Sequence, residues 1–562
     1  MKSGMTGIYG LWFILLLLLH AANGNAASFY VDSITGDDSL SGTNPESALR
    51  SLAAVNRIRL APGDSIFLAA GRTFKGEMAL ENVHGTAAKP VLISTYLPHN
   101  HPFGDWALID ARGCVAGVCL KNCSEIEVRN LQITANGGGM QPGQIVNSDL
   151  RCGVLVEINS PGVFSGFVFS NLLVKDIFYE NPGFVRNISE IRTANGTQDY
   201  GWGIRFINFD DHSVLRRISI VDCEIQNVSH TGLQFSSPSG CLRDVKVSDV
   251  RVTSSGGPGV QMSGLDNGVF SQLDVNDSGS SRDPRDRKRG SGLWTWTCDG
   301  VIIENSRFQN AHGPGDSCGV HIDYNCRNVI VQDNLSVHNA GGFCEILGND
   351  HHCAYRYNVS VNDGYRTKGV DGAFQEGKIL WLSGYVGDKK SQQGPFETYF
   401  YNNTIYTSPD LTAKISISPT TRGLLIANNI FCIEGKCSQV EGDQTAHDAN
   451  QERQAENVVF ENNLFLHPEN WPPGLLIKDG APIIGNPEFK RAGGTNLEDY
   501  LPSNIYLVRG RGIPIPSIPG DKIGLKGGLQ MDRDAMNQTV KGIPCLGALE
   551  YGNNFQTAAT HY

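Results

Sequence analysis

The chain has 562 residues, a net charge of −11 and 65 glycines. An acidic balance argues against a nucleic-acid partner, because proteins that bind nucleic acid usually present a basic surface. Length alone suggests several domains. The high glycine content and the shortage of helical patterns instead favour one repetitive, loop-rich structure.

The N-terminus predicts export. Lys2 precedes an apolar run over 11–19, and small residues such as Ala22 and Ala26 follow. This order is typical of a secretory signal peptide, and the run is shorter than the ~20 residues that cross a bilayer. We predict a signal peptide over 1–26, a secreted (extracellular or periplasmic) location and no membrane partner after cleavage. Nine Asn-x-Ser/Thr triplets occur, but Asn-rich turns create them by chance, so they do not establish a glycoprotein.

The first helical pattern lies in residues 45–58, and we predict that it forms an N-terminal cap. The repeat that follows is two stretches of alternating apolar residues on either side of Asn or Asp. It is centred on Asn130, Asn171, Asp249, Asn305, Asn334, Asn358, Asn403, Asn429 and Asn463. A second strand type precedes it and opens on a glycine, at Gly203, Gly232, Gly259, Gly292, Gly319 and Gly342. The predicted unit is strand, turn, strand, turn in roughly 27 residues.

Such short strands cannot bury an apolar face alone, whereas stacked turns of chain can, and a solenoid results. Asn suits the repeated turn because it tolerates left-handed backbone geometry and its amide can bond the equivalent amide in the next coil. We therefore predict an all-β, right-handed parallel β-helix over 27–490. Residues 491–562 should be an irregular wrapping segment with a final strand. A β-sandwich or propeller is the alternative, but it gives no reason for the regularly placed Asn.

Fourteen cysteines accompany the predicted export. Cys298, Cys326 and Cys353 are 28 and 27 residues apart, about one coil. Stacked coils would bring them within the ~4 Å Cβ separation of a disulfide. We predict at least one bridge among the three. A ladder of free buried thiols is the alternative, since Cys packs well as a small apolar residue.

Both ends of the mature chain resemble the pectate-lyase-like superfamily of right-handed parallel β-helix proteins. The matching segments are FYVDSITGDDSLSGTNPESALRSLAAVNRI, LAPGDSIFLAAGRTF and GIPCLGALEYG. The resemblance implies a carbohydrate partner. That superfamily contains lyases, hydrolases, epimerases and non-catalytic adhesins, so the reaction must be argued from the site.

Polar and aromatic residues occupy outward positions of the strands that open on a glycine. Residues two apart share a face, so Trp296 and Asp323 join that surface. Aromatic faces beside carboxylates are typical of a sugar-binding cleft, although the two tryptophans could simply cover the helix surface. The predicted substrate-binding residues are Arg205, Gln234, Gln261, Trp294, Trp296, His321 and Tyr324.

Three carboxylates are candidates for the chemistry. Glu345 lies among apolar residues, and desolvation would raise its pKa, as a general acid requires. Asp323 precedes it by 22 residues, about one coil. In register, two such carboxylates would lie roughly 5 Å apart, the spacing of a retaining glycosidase, with either residue as the nucleophile. Asp316 is the third candidate and could instead position a water for inversion.

These residues favour a glycoside hydrolase acting on a plant- or algal-type polysaccharide or oligosaccharide, without a cofactor and as a monomer. Similarity to retaining β-helix glycosidases supports this reading. A polysaccharide lyase is the first alternative, with calcium as its possible cofactor: the Glu345 strand resembles that of alginate lyases, but no Lys follows, so Arg356 or Arg366 would have to serve. His321-Ile322-Asp323 only partly matches a mannuronan epimerase motif. An adhesin would need the aromatics without the carboxylates.

Two further clusters of polar residues have the composition of a metal site or of an acidic-glycan site. Asp350, His351 and His352 are consecutive, so their side chains should diverge and a metal site there is disfavoured. The segment 278–290 carries five basic residues and lies next to the tryptophans. It could reach over the cleft and bind an acidic glycan, or it could be a solvated loop or processing site. Its basic residues are Arg282, Arg285, Arg287, Lys288 and Arg289.

Overall fold

A computed structural model describes residues 26–98, 105–138, 150–193, 199–440, 443, 455–472, 475 and 477–551. The predicted signal peptide lies outside these residues, apart from residue 26. The described chain winds through parallel strands that stack coil upon coil into three faces. Alternating residues of each strand point into a continuous apolar interior, as the period-two patterns predicted. The chain is therefore a parallel β-helix.

Face 1 is a twelve-stranded parallel sheet. It contains the predicted strands that open on a glycine. In chain order its strands are Met78–Glu81, Ala116–Lys121, Leu150–Ile158, Tyr200–Asn208, Leu233–Ser236, Val260–Ser263, Leu293–Trp296, Val320–Ile322, Gly342–Ile346, Lys378–Leu382, Thr412–Ile417 and Lys436–Gln439.

Faces 2 and 3 are joined into one sheet because the long strands Ile126–Asn136 and Gly162–Phe178 each pair across both faces. Face 2 otherwise contains Ser28–Val31, Ser65–Ala69, Val91–Tyr96, Ser213–Val221, Leu242–Ser248, Leu265–Ser271, Asp299–Glu304, Ile330–Gln332, Ala354–Arg356, Phe396–Tyr401, Arg422–Ala427 and Glu456–Glu461. Face 3 contains Thr73–Lys75, Ala107–Asp110, Glu224–Val228, Arg251–Ser255, Asp274–Ser278, Arg307–Gln309, Leu335–Val337, Val359–Val361, Thr404–Thr407, Ile430–Ile433, Leu464–Phe465 and Ile483–Ile484.

Each full coil therefore has three strands, not the two of the predicted unit. The two alternating stretches around each Asn are separate strands of faces 2 and 3, and the Asn marks the corner between them. At this corner Asn130, Asn171 and Asn305 have φ values of 56°, 52° and 50°. The left-handed geometry predicted for the repeated Asn is confirmed in these coils.

In the later coils, two adjacent corner residues take the two roles, one adopting left-handed geometry and the other making the amide hydrogen bond. Asp333 and Asn402, for example, have positive φ, and the Asn after each joins an amide ladder. Each ladder amide donates to the next residue's Oδ1 at 2.8–3.1 Å, and every member is buried. The ladder, called the asparagine corner below, is Asn334, Asn358, Asn403, Asn429 and Asn463. Burial of sequon residues Asn334, Asn358 and Asn402 rules them out as glycan acceptors in the folded chain.

The predicted disulfide is absent from the structure. Cys298, Cys326 and Cys353 stack in the interior as free thiols, and the other cysteines of the described chain are also free, although Cys241 and three others are only partly buried. The reason is local, because the thiols point into the core and donate hydrogen bonds to backbone carbonyl groups there. The Cys298 Sγ donates to the Trp296 carbonyl at 3.3 Å, and the Cys353 Sγ to the His351 carbonyl at 3.6 Å. The thiol ladder that the sequence left open is the observed arrangement.

The ends close the solenoid. The predicted cap is two short turns, the 3₁₀ helix Pro45–Ser47 and the α-helix Leu52–Val55, whose Leu52 and Val55 are buried. The C-terminal segment wraps the asparagine corner irregularly and contains the helices Pro468–Asn470, Leu497–Tyr500 and Ile505–Val508.

The closing sequence, described over 542–551, forms no strand, contrary to expectation. It is held instead by single bonds such as Gly547 N to Asn428 O at 2.8 Å. Of the residues that the structure describes, none belongs to a helix long and apolar enough to span a membrane.

Candidate active site

One outward row of face 1 carries the predicted substrate-binding residues in register. Each lies beside the next on neighbouring strands, in the order Arg205, Gln234, Gln261, Trp294 and His321. They line a cleft of about 510 Å³. The cleft also receives Trp296, Asp316, Asp323 and Tyr324 from the predicted set. The parallel ladder thus assembles, from five coils, residues that lie up to 119 positions apart in the chain.

The aromatic residues form one wall of this cleft. The Trp296 ring lies 5.3 Å from the Tyr324 ring and 6.4 Å from the Trp294 ring, centroid to centroid. Trp296 is 38% exposed although it lies within a strand. The structure therefore leaves an aromatic face open to the cleft, and flat aromatic faces suit the apolar face of a sugar ring.

Asp323 is a buried carboxylate at the base of the cleft. It accepts hydrogen bonds from Trp294 Nε1 at 2.8 Å and from the Tyr324 backbone N–H at 2.7 Å. Burial raises its pKa, and the charge of His321 and the two hydrogen bonds only partly offset that effect. A carboxyl group of this kind holds its proton to higher pH than an exposed Asp does.

Asp316 faces the same cleft from a loop, and its surroundings shift its pKa in the opposite direction to that of Asp323. Arg289 pairs with both carboxylate oxygens, Nε to Oδ2 at 2.8 Å and Nη2 to Oδ1 at 3.0 Å. Burial alone would raise the pKa of Asp316, but the charge and hydrogen bonds of Arg289 outweigh it and lower the pKa to about 2. The loop is fixed further because Arg366 donates to the Asp316 carbonyl at 2.9 Å.

Glu345 does not line the cleft, and its register differs from the expected one. Ile346 pairs with Ile322, so Glu345 lies beside His321 and not beside Asp323. Its side chain is 1% exposed and accepts a hydrogen bond from Cys318 Sγ at 2.9 Å. Burial raises its pKa, as the sequence predicted.

His321 stands between the two buried carboxylates. Its Nε2 lies 3.3 Å from Glu345 Oε1 and 3.8 Å from Asp323 Oδ2. The imidazole also tilts against Trp294, with ring centroids 6.0 Å apart. The sequence placed His321 on the substrate-binding surface; the structure adds that this ring connects Glu345 to the cleft.

The far end of the cleft contains polar groups that sequence reasoning missed. Trp202 stacks beneath the Arg205 guanidinium, 3.9 Å from its ring centroid, and burial lowers the pKa of Arg205 to about 10. Trp202 Nε1 and Gln234 Oε1 are buried without hydrogen-bond partners in the described chain. The sequence signal for Trp202 was its position three residues before Arg205 on a glycine-led strand. Tyr385, which also lines the cleft, follows a strand and carried no periodic signal.

The residues proposed for elimination chemistry lie elsewhere. Arg356 is on face 2, where it bonds Gln332 and the Tyr401 hydroxyl, and Arg366 donates to backbone carbonyls. Neither lines the cleft. Arg356 belongs to a different face, and the guanidinium of Arg366 binds the backbone carbonyl groups of neighbouring loops.

The consecutive residues after Glu345 diverge, as expected. Asp350 closes a turn by accepting from the Cys326 N–H, His351 stacks on Phe396 and His352 faces Asp521. One cluster of the described residues could offer three ligand atoms to a metal, exposed Asp211 and His212 with Asp210. These are neighbours in sequence on a surface turn, and none of them lines the cleft.

The basic segment 278–290 is neither a solvated loop nor an open cation cluster. Arg285, Arg287 and Arg289 are buried, and two of them pair with Asp283 and Asp316. The segment packs beside the cleft as a structural wall. Sequence could not reveal this, because several partners come from the distant segment 180–193.

Comparison with known proteins agrees with the architecture. Residues 202–372, which include most of the cleft, match a family model described as "Right handed beta helix region". With the strand registers, this confirms the predicted right-handed parallel β-helix. No curated protein matches the sequence.

Similar solved structures include a GH136 lacto-N-biosidase from Eubacterium ramulus, at 19% identity and TM-score 0.49, over 78% of this chain and 68% of that one. The pectate lyase Pel9A has 14% identity and TM-score 0.36, over 94% and 97%. XylC in complex with xylose has 9% identity and TM-score 0.44, over 94% and 99%. At such identities and scores these likenesses assign no reaction to this chain.

Proposed function

We propose that this protein is a glycoside hydrolase that cleaves an oligosaccharide or polysaccharide in the cleft of face 1. One observation carries the proposal. Two carboxylates open to the same aromatic-walled cleft, and their surroundings push the pKa of Asp323 up and that of Asp316 down. Titratable groups whose pKa values are driven apart are the arrangement that acid–base glycoside cleavage needs.

Asp323 is the general acid in this scheme. Its raised pKa keeps a proton that it can deliver to the leaving glycosidic oxygen, and Trp294 Nε1 fixes the carboxyl group. Asp316 is the ionised partner. It either attacks the anomeric carbon or removes a proton from the attacking water, and the anomer of the first product distinguishes these roles. This pairing replaces the predicted pair of Asp323 with Glu345, because Glu345 is closed off from substrate.

Glu345 is then a positioning residue. Its carboxylate lies 3.3 Å from His321 Nε2 and so orients the imidazole that faces Asp323. A positive charge on His321 lowers the pKa of Asp323, so Glu345 acts on the acid through this ring.

The second candidate function is β-elimination on a uronate polymer. Arg205 favours it, since a guanidinium at the end of the cleft could pair with a uronate carboxylate and its pKa is lowered to about 10. Calcium would matter only for that reaction, and the proposed hydrolysis uses no cofactor. In either case the predicted export would place the enzyme outside the cell or in the periplasm.

The test is an activity screen of the full chain against neutral and acidic plant and algal polysaccharides. Hydrolysis should release new reducing ends without an unsaturated uronate, and calcium chelation should change nothing. Products with the ultraviolet absorption of an unsaturated uronate, with activity lost on chelation, would establish elimination instead. No product from any glycan, with the cleft binding sugars normally, would favour a binding protein and overturn the enzyme proposal.

A further inference from the structure

A second cavity, of about 810 Å³, lies on the other side of the wall that holds Arg289 and Asp316. The wall has two segments, and each presents residues to both sides. Lys288 lines the second cavity whereas Arg289 lines the cleft, and His312 and Pro314 line the cavity whereas Asp316 lines the cleft. The cavities share no lining residue, so the second is a separate compartment.

Cations dominate the charged lining of this cavity. Lys288, Arg192 and Arg366 face a single carboxylate, Asp371. Arg366 is held by carbonyl groups. Lys288 and Arg192 make no ion pair with any described residue.

The neighbours of Lys288 behave differently. Arg282, Arg285 and Arg289 of the same segment pair with Asp277, Asp283 and Asp316. In a chain with a net charge of −11, an open cavity lined by two cations that form no ion pair with a described residue is complementary to an anion.

The rest of the lining combines polar side chains, such as Ser281 and Thr367, with apolar side chains that are unusually exposed. Tyr365, Val370 and Ile188 are 38%, 54% and 78% exposed, and all three border this cavity. Phe374 lies between two guanidinium groups, with Arg192 5.2 Å from its ring centroid. Aromatic and aliphatic faces beside cations suit a ligand with a flat, weakly polar body and a negative substituent.

We propose that this cavity binds an anionic sugar residue, with Lys288 and Arg192 contacting its carboxylate or sulfate ester and Tyr365 packing against its ring. The inference goes beyond the proposed function, because binding here requires no cleavage. It also gives the basic segment 278–290 a ligand-binding role on the side away from the cleft, where its residue Lys288 lines the cavity.

The test measures binding to the full chain by titration calorimetry with three probes of equal length. These are an oligogalacturonate, a sulfated galactan oligosaccharide and a neutral xylo-oligosaccharide. We expect the charged probes to bind and their affinity to fall with added salt. Lys288→Ala and Arg192→Ala should each weaken that binding by about tenfold. Preference for one charged probe identifies the carboxylate or the sulfate ester as the group recognised.

Two variants separate this site from the cleft. Arg282→Ala removes a basic residue of the same segment that does not line the cavity, and Trp296→Ala alters the cleft alone; neither should change charged-probe binding. Equal affinity for the neutral probe in Trp296→Ala, in which the cleft is impaired, or no loss in the Lys288 and Arg192 variants, overturns the proposal. Loss in Trp296→Ala with no loss in Lys288→Ala would place the anion in the cleft. None of these outcomes depends on turnover, so they are independent of the hydrolase proposal.

Discussion

Two polar rows run along this solenoid and differ in one respect. The asparagine corner repeats a single residue type, and every amide finds the same partner in the next coil. The row on face 1 carries five residue types, from Arg205 through the pair Gln234 and Gln261 to Glu345, and leaves buried atoms such as Gln234 Oε1 without partners. A repeated, satisfied row is consistent with a structural role, whereas a varied row with unpaired atoms and shifted pKa values indicates a site.

The largest expected effect is a loss of activity, and it distinguishes the row on face 1 from the asparagine corner. Asp323→Asn should lower kcat by about 10²–10⁴-fold, because the general acid is lost while the amide keeps the shape of the side chain. The melting temperature should stay within a few degrees of wild type. Asp274→Asn, on face 3 outside the cleft, is the control and should retain activity. Near-wild-type turnover in Asp323→Asn would remove this residue from the mechanism.

The asparagine corner should respond in stability instead. Asn403→Ala leaves the Asn358 backbone N–H unsatisfied in the core and removes one of the two hydrogen bonds to Asn429 Oδ1, and it should cost about 2–4 kcal/mol of unfolding free energy. Gln261→Ala on face 1 should cost less than half as much, because its side chain bonds Gln234 and Thr231 at the cleft surface. Denaturant unfolding of both variants measures the difference. Equal losses would mean that the two rows are equally structural.

A pH profile tests whether Glu345 belongs to the site through His321. Wild-type kcat should fall as the pH rises past the raised pKa of Asp323, since the acid then loses its proton. Glutamine does not pair with His321 as the Glu345 carboxylate does, so in Glu345→Gln the ring is no longer held beside Asp323 and lowers the pKa of Asp323 less. The basic limb should therefore move to higher pH. Glu304→Gln, on face 2, should leave the profile in place, and an unmoved limb in both variants contradicts the positioning role.

The smallest effect concerns the aromatic wall. Trp296→Ala should raise KM by about tenfold with little change in kcat, since a stacking face contributes about 1 kcal/mol or slightly more. Trp106 is similarly exposed but lies on an early coil away from the cleft, so Trp106→Ala is its control. A matching rise in KM for Trp106→Ala would show that the effect is not specific to the cleft.

The sequence was informative where a pattern repeats. The alternation and the recurring Asn predicted the coils, the left-handed corner and the amide ladder, and in-register glycines predicted the row from Arg205 to His321. Three strands per coil were missed because a corner made by one Asn interrupts the alternation too briefly to show as a turn.

The sequence was uninformative where a contact depends on a loop. The coil from Asp323 to Glu345 fixes its register through Ile322 and Ile346, and a count of residues across its turns misplaced Glu345 by two positions. The pair of Arg289 and Asp316 joins two irregular segments 27 residues apart, with no periodicity to indicate it. The free thiols likewise depend on side-chain direction, which spacing alone does not give.

The asparagine corner has an evolutionary consequence. Successive ladder residues are separated by 24, 45, 26 and 34 positions, yet their amide bonds stay between 2.8 and 3.1 Å. The corner therefore resets the register once per coil, whatever length of chain has passed since the last one. Insertions and deletions in the loops can be absorbed without disturbing neighbouring coils. A scaffold of this kind can exchange the loops around its cleft, and with them its ligand, while one edge keeps every coil in place.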